Sequence, residues 1–250
     1  MCCFSRPVAS VSATKIFARA EDTHRQFLAY SMTLSAKEDL AMILPLPVRA
    51  GSGEKAVTFI SLEEYPQFFT DMERGFPMPP PPKSMWGVKS RAPATAVPLL
   101  EVVQVGSFEA SFVPTIADFA RLDERFRLPP GTWEKLPAYR HYGFAVFKLK
   151  PGAKTVHPMA FSFPRANIAS LFFPTVHIHD GHVHTRAGFD HILYCQHGES
   201  DTAKLTDWRE SPKLARDFVK VAQAKGIVAA DRHCHRKELR GQLENGDVWV

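Results

Sequence analysis

KIFARAEDTHRQFLAYSMTL, residues 15–34, is the stretch that decides the fold class. Two apolar-rich segments, 15–20 and 26–34, flank the polar run Glu21, Asp22, Thr23 and His24, a pattern that predicts a β-hairpin. Downstream, LAMILPLPV at 40–48 reads as a third strand, and Pro45 and Pro47 put part of it at a sheet edge because proline cannot donate to a ladder. After the Gly51, Ser52, Gly53 turn comes a short strand at 56–60. Ser61 with Glu64 three residues on forms a capping-box signature, and Pro66 is early enough to be tolerated in a helix running to Arg74.

Further out the pattern repeats. Residues 99–105 and 108–113 predict a second hairpin around Gly106 and Ser107. A helix is expected over 115–126, with Ile116, Phe119, Ala120, Leu122 and Phe126 on its apolar face, and a short one over 132–139. Strands are expected at 144–149, 155–163, 168–179 and 182–195. The last two meet at Asp180-Gly181, the dipeptide that a tight hairpin turn prefers because both central residues need positive φ. Ser211 as N-cap, Pro212 at the first helical position and Gly226 past the end delimit a final helix with Leu214, Phe218, Val221 and Ala222 on one side. The fold class read from this is α+β, mainly antiparallel β-sheet with three or four helices. The organisation expected is a strand-rich lobe (1–76), a proline-rich connector (77–98), an α+β lobe (99–200) and a helical extension (201–250), with one continuous domain as the alternative.

The 250 residues are 45% hydrophobic, 11% aromatic and 23% charged, which excludes a disordered, collagen-like or coiled-coil chain. A formal charge of +5 is spread along the sequence. Even the most basic stretch, 232–240, carries Asp231 beside it and Glu238 within it, and no nucleic-acid motif surrounds it, so nucleic acid is not the expected partner. The longest apolar run is far too short to span a bilayer, and no secretory leader is evident among the first 30 residues, so a cytoplasmic address away from membranes is the expectation. The four cysteines, Cys2, Cys3, Cys195 and Cys234, are too few and scattered for a disulfide framework.

Histidine is the unusual entry in the composition. Nine of the 11 histidines follow residue 150. If Asp180 and Gly181 make a two-residue turn, His179 faces His182 and His177 faces His184, and strand alternation puts all four imidazoles on one face. Opposed Cβ atoms lie about 5 Å apart, close enough for imidazoles to converge on one ion. His177, His179, His182 and His184, with His191 and Cys195 following, are therefore the candidate ligands of a transition metal, zinc or copper, in a metal-binding protein or metalloenzyme. A solvated polar hairpin face is the alternative. None of these residues has zinc-finger spacing.

The N-terminus offers different chemistry. Cys2 follows Met1, and removal of Met1 would leave an α-amine and a thiol on one residue, the pairing used by N-terminal nucleophile hydrolases. With Arg19 and Asp22 in an Arg-x-x-Asp arrangement on the following strand, the segment resembles the choloylglycine-hydrolase branch of those enzymes. That resemblance implies an amidohydrolase with Cys2 as nucleophile and Arg19 and Asp22 contacting it and its substrate, with Asn167 available as the asparagine such enzymes use. The other reading is that Cys2 and Cys3 are small buried residues of a first strand.

A longer resemblance covers much of the chain. Residues 16–48, including LAMILPLPV, and residues 105–163, with VGSFEA, LPPG, GFAVFKLKPG and FSFP in order, resemble the bacterial family known as domain of unknown function 2330. The resemblance implies a shared fold without implying an activity, and members of that family usually look exported. Three functional readings follow: a metal site taking a metal ion or small molecule, a cysteine-nucleophile amidohydrolase, and a non-enzymatic protein that engages a protein partner through its proline-rich segment.

Overall fold

The structure, a computed structural model, describes residues 3–77, 109–149, 152–197 and 205–250. Cys2, the expected strand at 99–105 and the connector from residue 78 onward lie outside the described residues. Thirteen strands are seen among them: β1 (Cys3–Phe4), β2 (Ser10–Ala20), β3 (Arg25–Ala36), β4 (Leu40–Leu46), β5 (Thr58–Ser61), β6 (Glu109–Val113), β7 (Gly143–Leu149), β8 (Gly152–Pro164), β9 (Phe172–Phe173), β10 (Arg186–Gln196), β11 (Arg209–Glu210), β12 (His235–Glu244) and β13 (Val248–Trp249). One α-helix accompanies them, α1 (Phe68–Arg74).

The strands form a seven-stranded sheet in the order β11-β12-β10-β2-β3-β8-β5, a four-stranded sheet β1-β4-β7-β6, and the small pair β13-β9. The predicted hairpin is present, with Ala20 opposite Gln26 and Ile16 opposite Tyr30. Its turn is held by Asp22, whose Oδ1 accepts from the amides of His24 and Arg25, both at 2.7 Å. Pairing in the large sheet is antiparallel except between β2 and β10, where Ile192 lies beside Lys15 and Gln196 beside Arg19.

Alternation along the strands builds three apolar layers. Ile16 and Ala18 of β2, Leu28 and Tyr30 of β3, Phe161 and Phe163 of β8, and Leu193 of β10 meet Met42, Leu44 and Phe147 of the smaller sheet in a sandwich core. On the opposite face of the large sheet, Phe17, Ala29 and Tyr194 are covered by Phe68, Phe69 and Met72 of α1 and by Ala215, Val219 and Ile227 of the C-terminal region. The outer face of the small sheet, Ala41, Ile43, Phe144 and Val146, is covered by Phe119, Phe126, Tyr139, Val176 and Ile178. The central strands of both sheets are thus buried on both faces, which explains the continuous apolar reading of β4.

The α+β expectation is corrected here: the fold is a β-sandwich, and of the expected helices only the end of the first, α1, is α-helical among the described residues. Over 115–126 the chain forms two 3-10 turns. Leu122 between them is extended, Asp123 starts the second by accepting from Arg125 N, and the Arg127 side chain donates to the carbonyls of Ala120 and Leu122. Over 132–139 there are again only 3-10 turns. In the expected final helix Leu214 is extended, and the backbone donors go elsewhere: Ala215 N to Arg232 O, Arg216 N to Ala230 O, and Lys220 N to the Tyr65 hydroxyl. Donors committed to tertiary acceptors cannot close i to i−4 rings.

Close packing of a β6 side chain over its neighbour β7 sets one sharp constraint. A Cβ on Gly143 would sit 2.4 Å from Phe112 Cζ and 3.1 Å from Val48 Cγ2. Gly143→Ala is therefore expected to destabilise the protein by about 1–3 kcal/mol, as overpacking does. Thermal unfolding checks this, and an unchanged midpoint would show that Phe112 can step aside at no cost.

Candidate functional site

The histidines predicted to share a hairpin face are divided between two environments. The Asp180-Gly181 turn exists, with Gly181 at φ 80°, but its flanks do not pair. Phe172 and Phe173 pair with β13, and β10 starts at Arg186 beside β12. Val176, His177 and Ile178 therefore run inward against β1: Cys3 bridges Ile178, and Phe4 N donates to Ile178 O at 3.0 Å.

His177 turns into the sandwich, where it meets His179 and His191. The His177 ring centroid lies 5.0 Å from each, stacked on His179 and tilted to His191. Phe189 packs 4.2 Å from His177, and Phe4 lies 5.6 Å from His179. His191 is fully buried and His177 is 5% exposed. His177 Nε2, His179 Nε2 and both nitrogens of His191 are buried without hydrogen-bond partners. Burial is the first cause that holds all three imidazoles neutral, pushing His177 down to about 2 and His179 to about 4; their mutual repulsion adds to it at His177 and His191.

His182 and His184 are exposed on the other side of the turn. His184 Nε2 lies 2.8 Å from Asp180 Oδ2, and His182 Nδ1 lies 3.1 Å from the Asp180 carbonyl. The His184 contact is the main cause that lowers the Asp180 carboxyl below its usual value. Cys195 lies further along β10 in the sandwich core, where burial raises its thiol well above the usual range. A thiol held protonated is a poor metal ligand and a poor nucleophile. Among the described residues no group of three His, Cys, Asp or Glu side chains is placed to hold a metal ion.

The two described members of the cysteine-hydrolase set are engaged by the backbone. Arg19 donates through Nε to Ile227 O at 2.7 Å and through its Nη atoms to the carbonyls of Ala20 and Gly226. It also lies over the Phe27 ring. Asp22 caps the hairpin turn described above. Asn167 Oδ1 accepts from Ala169 N at 2.9 Å, which shapes its own loop.

Sequence reasoning missed a groove between β5 and β6, the strands that end the two sheets among the described residues. Phe59, Ile60 and Leu62 on and just after β5, Ala110 on β6, Phe147 on β7 and Met159 on β8 line a cavity of about 210 Å³ that is largely apolar. The hint in the sequence was the apolar run at 56–60, broken only by Thr58; that two sheets meet there is a tertiary fact.

In fold this chain is similar to baculovirus P35. The crystal structure of that protein superposes with a TM-score of 0.50 over 96% of each chain, at 12% sequence identity. The P35 chain of a caspase-8/P35 complex gives a TM-score of 0.47 at 11% identity, covering 95% of each chain. A mutated baculovirus P35 after caspase cleavage gives 0.43 at 15% identity, covering 96% of this chain and 97% of that one. No protein-family profile and no curated protein sequence matches the chain. At this identity the likeness to P35 is one of fold.

Behind residues 175 and 176, Asp247 accepts from Tyr139 Oη at 2.8 Å and from the amides of Thr175 and Val176 at 2.8 and 3.0 Å. Near the other end of β12, His235 Nε2 lies 3.9 Å from Glu210, and His233 Nδ1 is 2.7 Å from Ser211 O. No helix among the described residues is long and apolar enough to cross a membrane.

Proposed function

We propose that the chain is a non-enzymatic protein that acts by binding a protein partner, and that this partner is a caspase. The observation that carries the reading is the P35-like sandwich, shared over 96% of both chains, together with the fact that P35 itself forms a complex with caspase-8. Two features of the chain are in keeping with it. Arg19 and Asp22, which an amidohydrolase would need at its cysteine, are occupied in holding backbone. The groove is largely apolar and bordered by β5 and β6, which end the two sheets among the described residues, and a sheet edge beside side-chain pockets is what an extended peptide recognises.

The test is direct. Purified full-length chain, added in molar excess to active caspase-8, is expected to abolish turnover of a peptide substrate and to co-elute with the protease in size-exclusion chromatography. Undiminished turnover with separate elution would overturn the proposal, since the fold likeness that carries it would then have no functional counterpart.

A further inference from the structure

Three strands of the large sheet end at one place. β2 ends at Ala20, β8 at Pro164 just before Arg165, and β10 at Gln196. Between these ends lies a small pocket of about 80 Å³ whose lining includes Arg165, Ser170, Gln196, His197 and Arg232 and, among the described residues, no carboxylate.

Each arginine has unused capacity. Arg165 is 7% exposed. One Nη donates to the carbonyls of Asp22 and Thr23 at 3.2 and 3.0 Å, while its Nε is buried with no partner. A guanidinium carries five N–H donors, and an orphaned buried one costs free energy until an acceptor arrives. The Arg232 guanidinium is exposed and makes no hydrogen bond or ion pair among the described residues. Its backbone is fixed by Gln196, which donates to the carbonyls of Ala229 and Arg232 and accepts from Ala229 N. Arg232 already disfavours the charge of the neighbouring Arg19, second only to burial. Asp22, whose charge favours that of Arg165, gives its Oδ1 to two amides, and its carboxylate receives no hydrogen bond from the guanidinium, which leaves Arg165 Nε open to another acceptor.

We propose that this pocket binds a compact oxyanion, a phosphate or carboxylate group, between Arg165 and Arg232. The volume admits a single such group and excludes anything as large as a nucleotide in its entirety. Arg165 supplies the desolvated donor and Arg232 the exposed one, and charge-assisted bonds of this kind are among the strongest a protein makes. The inference is independent of the caspase reading.

Titration of the isotope-labelled protein with inorganic phosphate, and separately with acetate, tests it by NMR. Saturable shifts are expected at the amides of residues 169–171 and 196–197 with at least one of the two anions, and which one identifies the source of the oxyanion. Arg232→Gln, an exposed change that leaves the fold intact, is expected to weaken binding about tenfold, as loss of one charged donor does. Arg165→Lys keeps the charge, loses Nε and is expected to weaken it as well. Shifts that sodium chloride at equal ionic strength reproduces, no saturable shift with either anion, or unchanged affinity in both variants would each overturn the proposal.

Discussion

At pH 4.5 the protein is expected to be several kcal/mol less stable than at pH 7, with roughly 3 kcal/mol lost for each imidazole of the His177, His179 and His191 group that stays neutral while folded. The direction follows from the depressed folded values. Below the unfolded value of about 6.5 the unfolded chain takes up protons that the folded chain refuses. The stabilisation is therefore complete above that pH and drains away as pH falls toward about 4 for His179 and about 2 for His177.

The surroundings offer little relief. Asp180 alone favours a charged His179. Asp190, beside His191 in sequence, accepts from Ala13 N instead, and Leu239 is the residue of β12 opposite His191. Asn245 meets the group as a neutral amide that bonds the backbone of His177 on both sides. Three such losses approach the whole stability of an ordinary domain, so acid unfolding is expected above pH 4. Urea unfolding at the two pH values measures the difference. His191→Leu removes one titrating group and two unpartnered nitrogens, and is expected to flatten the pH dependence while leaving stability at pH 7 equal or higher. Equal urea midpoints at pH 7 and 4.5 in the unmodified protein would sink the argument.

Asp247→Ala is the second large effect, about 3–5 kcal/mol of destabilisation by urea unfolding at neutral pH. The carboxylate is the acceptor for the amides of Thr175 and Val176 and for the Tyr139 hydroxyl, so its removal strands three donors beneath the surface. The neighbouring Asn245 bonds His177 and the His184 carbonyl, which makes the turn between β12 and β13 the clasp that seats residues 175–184. Asp247→Asn keeps one acceptor oxygen and is expected to cost less, and Tyr139→Phe, which loses a single bond, about 1 kcal/mol. An Asp247→Ala protein that unfolds with the unmodified one would show that water reaches those donors.

The strands that were legible in the sequence are those whose alternation and turn chemistry are local. The β2–β3 hairpin, with Asp22 in its turn, and the successive strands β7 and β8, which go to different sheets, announce themselves locally. The helices misled because apolar spacing at 115–126 and 211–225 is shared by irregular segments that cover a sheet; what decides is where backbone donors go, and Arg232 O and Tyr65 Oη are far away in sequence. β12 hid in what reads as a basic run, although Arg236, Glu238, Arg240, Gln242 and Glu244 are a strict polar alternation. At the histidines, Asp-Gly correctly marked a turn. The flanks then paired with β13 and with β2 and β12, so the imidazoles divided between core and solvent for reasons no local window contains.

The parallel pairing of β10 with β2 has a consequence for assembly. Lys15 and Ile192 can become neighbours only once about three quarters of the chain exists, and such non-local contacts are slow to form. Until then β2, with Ile16, Phe17 and Ala18 wholly buried in the finished protein, presents a long apolar border with open hydrogen-bonding groups, the form in which chains pair with one another. A ribosome making this protein therefore holds a sticky half-sheet until its last quarter emerges, and any shortening before β10 leaves that border permanently exposed.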